Sequence, residues 1–107
     1  MEMDNQVSNA FQLFFKEAPG HAKGWMEAVQ NVDKASALDR KTEELAYIAV
    51  LAAARLESGI PFHVRSAKQL GATREEIISA VLIGLPAVGN GVIQSLPAAI
   101  QAYDSVE

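Results

Sequence analysis

The eight residues Leu70-Gly71-Ala72-Thr73-Arg74-Glu75-Glu76-Ile77 close one helix and open another. Gly71 is a natural helix stop, because glycine enters the left-handed conformation without a steric penalty. Thr73 and Glu76 have capping-box spacing: the Thr oxygen accepts from the N3 amide, and the Glu carboxylate reaches back to the cap. A joint of this kind commits its surroundings to helix packing. The rest of the chain agrees. It lacks alternating β-branched runs and Asn-Gly hairpins between them; the pair Asn90-Gly91 lies inside an apolar helical region.

The pattern predicts an all-α fold of about six helices in a single domain, residues 1–107. The first covers about Asp4 to Glu17, with Val7, Ala10, Phe11, Phe14 and Phe15 as its apolar stripe. Ala18-Pro19-Gly20 breaks it. The second runs from about His21 to Ala35 with Trp25, Met26, Val29 and Val32 inward. Asp39 caps the third, about Arg40 to Glu57, whose Ala-rich centre predicts burial on most sides. Ser58-Gly59 ends it, and Pro61 suits the first turn of the fourth helix, about Ile60 to Leu70. The fifth continues from Thr73 to about Leu85. Pro86 and Gly89-Asn90-Gly91 mark a break, and the last helix, with Pro97 as a kink, ends near Tyr103.

Composition narrows the function. Half of the 107 residues are apolar, so a core is available, yet so short a chain leaves much surface uncovered. The run Ala80 to Leu85 with Ala98-Ala99-Ile100 offers more apolar surface than a monomer needs, which predicts self-association. The formal charge is −4 with scattered basic residues, so no nucleic-acid partner is expected. There is no cysteine, hence no disulfide, thiolate ligand or thiol redox centre in the chain. The acidic, polar start lacks signal-peptide character. The apolar stretch Ile77–Gly89 is too short and too interrupted to span a bilayer. A cytoplasmic protein without a membrane partner is expected.

Two polar residues fall on apolar faces. On the third helix Glu44, Ile48, Leu51 and Arg55 share one side at spacings of four, three and four. Glu44 there is either paired within the fold or a helix-start glutamate facing solvent and favoured by the macrodipole. On the fourth helix Ile60, His63, Val64, Ala67 and Leu70 form the inner face, with Arg65, Lys68 and Gln69 outside. His63 is either a proton carrier, since imidazole titrates near neutral pH, or a hydrogen-bonded core histidine. Whether Glu44 and His63 meet depends on how the two helices cross. His21 follows Pro19-Gly20 and is expected to be exposed. Two histidines without an HxH, HExxH or cysteine partner predict no metal site. A phosphate-binding glycine loop and a Gly-x-Ser-x-Gly elbow are both missing.

Leu38-Asp39-Arg40-Lys41-Thr42-Glu43-Glu44-Leu45-Ala46, the block from His63 to Ile77, and Gly84-Leu85-Pro86-Ala87-Val88-Gly89-Asn90 together resemble the carboxymuconolactone decarboxylase and AhpD-like family. The similarity runs roughly from Pro19 to Tyr103. It implies an all-α AhpD-like fold assembled as homotrimers or homohexamers, with Glu44 and His63 at the family's acid–base positions. The peroxidase branch of that family carries Cys-x-x-Cys-x-x-x-His; counting back from His63, Leu56 and Gly59 occupy the two cysteine positions. The decarboxylase branch uses no thiol. The resemblance to it implies a cofactor-free acid–base decarboxylase or isomerase acting on a small carboxylated lactone or related acid. Arg65 or Arg55 would hold the substrate carboxylate, with Asn90 as a polar liner. Two other readings stay open: a non-catalytic oligomeric scaffold or small-ligand binder, and an AhpD-type peroxidase that takes its thiol from a partner.

Overall fold

The computed structural model describes residues 8–105, all helices, turns and links. Internal contacts divide the chain into two compact units, one up to Asp39 and one from Arg40 onward.

The first unit holds α1 (Asn9–Glu17) and α2 (Pro19–Ala35). Ser8, in an extended conformation, caps α1 by accepting from the Phe11 amide, so the helix begins at Asn9. The expected start at Asp4 and the Val7 contact lie outside the described residues. Phe11, Phe14 and Phe15 make a ring cluster with centroids 5.1–5.9 Å apart. The break comes at Ala18, and Pro19 takes the first turn of α2, where its missing N–H costs nothing. Met26 and Val29 are half-buried, but Trp25 and Val32 are exposed, contrary to the inward face expected for them.

The second unit is built from α3 (Arg40–Ala53), a 3-10 turn at Glu57–Gly59, α4 (Ile60–Gln69), α5 (Arg74–Leu82), the single-turn α6 (Leu85–Val88), a 3-10 segment at Asn90–Ser95 and α7 (Leu96–Asp104). The helix α3 packs on α4, α5 and the 3-10 segment, and α7 packs on α4 and α5. Ile48, Leu51 and Ala52 of α3 meet Ile60, Val64 and Ala67 of α4, with Ile77, Val81, Val92, Ala99 and Ala102 completing one buried cluster. These residues recur at helical spacings of three and four, which is why the sequence pattern finds them. Only one side of α3 joins this core: Tyr47 and Val50 are exposed, against the burial on most sides expected of it. Pro86 and Pro97 both sit in first turns of helices, so Pro97 is a start and not a kink.

Two helix ends contrast. After α4 the Ala72 amide bonds the Ala67 carbonyl and the Gly71 amide bonds Lys68, a Schellman motif with Gly71 at φ +96°. The helix α3 ends in the same pattern, Leu56 to Leu51 and Arg55 to Ala52, but the left-handed position is Arg55 at φ +63°. This end precedes the Ser58-Gly59 stop expected from sequence and shortens α3 by a turn. A left-handed non-glycine residue costs roughly 1–2 kcal/mol. Arg55→Gly should therefore raise stability by about 1 kcal/mol, read as a higher urea midpoint with an unchanged slope. An unchanged or lower midpoint would mean that the Arg55 side chain, lying across Gly91 and near Glu57, offsets the strain.

The capping box forms as expected: the Glu76 amide donates to Thr73 Oγ1 at 3.1 Å, and the Thr73 amide donates to Glu76 Oε1 at 2.9 Å. Glu76 Oε1 also meets Lys41 Nζ at 3.0 Å, tying α5 to the start of α3. Arg74 forks onto both oxygens of Asp104 at the end of α7, at 3.0 and 3.2 Å. Glu76 is held below the usual carboxylate range, first by the Thr73 amide and then by Lys41; Asp104 is held below it mainly by its hydrogen bond to Arg74. Both carboxylates are depressed in the folded state. Their stabilisation is thus full above the unfolded carboxylate range, about pH 4, and is lost as pH falls through the lower folded values. Unfolding midpoints should drop as pH is taken from 5 towards about 2, and less steeply in Asp104→Asn. A flat acid limb would show that these contacts do not hold α5 in place.

Candidate functional site

Glu44 is on the second turn of α3 and His63 on the first turn of α4. Gly59 lies against Leu51, and one turn further along α4 His63 lies against Tyr47 and Glu44, which are one and two turns back along α3. The helices therefore pass each other in opposite senses, and the second turn of α3 faces the first turn of α4.

His63 Nδ1 is 2.8 Å from Glu44 Oε1, with the two side chains about one-fifth exposed. A carboxylate accepts only, so Nδ1 carries the hydrogen of this bond. In the neutral ring that places the lone pair on Nε2 and in the charged ring it makes an ion pair. The Tyr47 ring stacks on the imidazole, with centroids 4.2 Å apart and planes 21° from parallel. Phe62 meets it edge-on at 5.2 Å. Tyr47 and Phe62 are themselves exposed, and the imidazole beside them is part-buried, outside the buried core cluster. Sequence reasoning missed Tyr47. Its signal was present: it stands three residues after Glu44, on the same side of α3.

Glu44 and His63 are the two sequence-predicted residues that the fold brings together. Arg65 is half-buried and leaves α4 about 160° from His63, two residues on. Arg55 is exposed beyond the far end of α3, its stem over Gly91 and its Nε 3.9 Å from Glu57. Asn90 is exposed at the start of the 3-10 segment, after Gly89 at φ +85°. His21 is exposed on α2. Among the described residues no cluster of three His, Asp or Glu has metal-binding geometry, and no helix is long and apolar enough to cross a membrane. A separate, mostly apolar groove of about 540 Å³ lies between α3 and α5, lined by Leu45, Ala46, Ala49, Ala80 and Ile83 and also by Glu75 and Glu76. His63 is not part of it.

The sequence left open whether Glu44 and His63 meet; across the two packed helices they do, nineteen residues apart. The carboxymuconolactone decarboxylase family model matches residues 19–102. The chain belongs to the carboxymuconolactone decarboxylase family. A crystal structure of the apo form of a carboxymuconolactone decarboxylase family protein from Legionella pneumophila is similar, with a TM-score of 0.75 and 29% identity over 89% of this chain and 85% of that one. No curated protein matches the chain at a significant level. The family match spans both compact units, and this member has Leu56 and Gly59 before its histidine and no cysteine anywhere.

Proposed function

We propose that this chain is a cofactor-free acid–base enzyme, a decarboxylase or isomerase of a small carboxylated lactone or related unsaturated acid. The observation that carries the reading is the 2.8 Å bond between His63 Nδ1 and Glu44 Oε1, which leaves Nε2 as the proton-exchanging atom. In decarboxylation the C–C electron pair moves into the conjugated system as carbon dioxide leaves. The imidazolium Nε2–H then gives its proton to carbon, and solvent restores it. Glu44 orients the ring and stabilises the imidazolium between turnovers. A cysteine-dependent peroxidase mechanism has no nucleophile in this chain.

Arg65 or Arg55 is the proposed holder of the substrate carboxylate, with Asn90 as a polar liner, reached across a boundary between copies, since within one chain Arg65 points away from His63 and Arg55 lies past the other end of α3. Exposed Tyr47, Val50, Ile83 and Val88 support self-association into trimers or hexamers. The test is incubation with γ-carboxymuconolactone in deuterated water without added metal or cofactor. Release of carbon dioxide with deuterium on the product carbon is expected; no release would overturn the decarboxylase reading.

The α3–α5 groove favours a second reading, a small-ligand binder in which the Glu44–His63 pair is structural. In that case ligands would raise the melting temperature equally in the wild type and in His63→Ala.

A further inference from the structure

We infer that Tyr47 is a positioning residue for His63: its ring fixes the plane of the imidazole and so keeps Nδ1–H on Glu44 and Nε2 in a constant direction. The inference rests on the acid–base reading of His63 given above. One hydrogen bond sets the direction of Nδ1 but leaves the ring free to rock about that bond, which swings Nε2. A second restraint must act on the ring face. Tyr47 supplies it, nearly parallel at 4.2 Å. It comes from α3, three residues after Glu44, so both restraints are mounted on one face of one helix and keep a fixed spacing. Phe62 cannot do the same, because it belongs to the helix of His63 and moves with it. With one face of the imidazole covered, a reactant reaches Nε2 from the ring edge or the opposite face.

The experiment uses the full chain with nitrogen-labelled histidine, and its NMR spectrum needs no substrate. In the wild type, neutral His63 should show Nδ1 as the protonated nitrogen, with ring protons shifted upfield by the stacked phenol; exposed His21 serves as the internal reference. Tyr47→Phe should keep both signatures. Tyr47→Leu and Tyr47→Gln should lose the upfield shift and bring the tautomer balance towards that of His21, with unfolding midpoints near wild type. Persistence of the Nδ1–H signature in both Tyr47→Leu and Tyr47→Gln would overturn the inference, as would a wild-type His63 protonated on Nε2. Turnover unaffected by His63→Ala would instead remove the proposed reaction and leave the tautomer result standing.

Discussion

His63→Ala should lower turnover of γ-carboxymuconolactone by about 100- to 10,000-fold, the usual range for loss of a positioned proton-transfer group. The unfolding midpoint should stay close to wild type, because the His63 side chain is at the rim of the core and its neighbours Ile60, Val64 and Ala67 carry the packing of α4. The separation of the two effects is the informative part. A histidine kept only as a satisfied polar group would show the reverse, a lower midpoint with unchanged chemistry. Glu44→Gln should be milder than His63→Ala: the amide oxygen can still accept from Nδ1, but the charge that balances the imidazolium is gone. Steady-state rates and urea unfolding on the same preparations decide between these outcomes.

Ile48→Ala should cost about 2–5 kcal/mol, the range for deleting a large buried aliphatic group. Ile48 is fully buried in α3, one turn after Glu44 and next to Tyr47, and it packs in the cluster shared by α4, α5 and α7. Domains of this size hold about 5–15 kcal/mol in all, so the loss is a large share of the total. The melting temperature should fall by at least about 8 °C. A shift of only a degree or two would mean that α3 is not the central helix of the unit. Because Ile48 anchors the face of α3 that carries Glu44 one turn before it, activity should fall even at temperatures where the variant remains folded.

Much of this architecture was legible from local chemistry. Gly71, Thr73 and Glu76 announce the α4–α5 joint, and the structure forms each of their hydrogen bonds. Helical spacing placed Ile48, Leu51, Ile60, Val64 and Ala67 inward because burial at those spacings is the main force on such helices. The early end of α3 was not legible. Its left-handed position holds Arg55, and local propensity would have waited for Gly59. Trp25 and Val32 carry a regular apolar period yet are exposed, since periodicity identifies a face and says nothing of what covers it.

The site divides in the same way. Facing residues on consecutive helices made Glu44 and His63 candidates, but only the register of α3 against α4 shows that they touch. Arg65 and Arg55 were drawn in by the chemistry a carboxylate needs, and helix geometry sends both away from His63 within one chain. Tyr47 was hidden by its type: an aromatic beside an apolar stripe reads as core until its ring is seen lying on the imidazole.

On the reading proposed above, Glu44 and His63 act as one acid–base unit in a cysteine-less member of this family. The most direct measurement is carbon dioxide release from γ-carboxymuconolactone by the wild type, Glu44→Ala, His63→Ala and the double variant. If the two act as a unit, the double variant should be no slower than His63→Ala alone, because removing the carboxylate has no further effect once the ring it orients is gone. Multiplying losses, or a His63→Ala rate equal to wild type, would mean that the two residues do not form an acid–base unit.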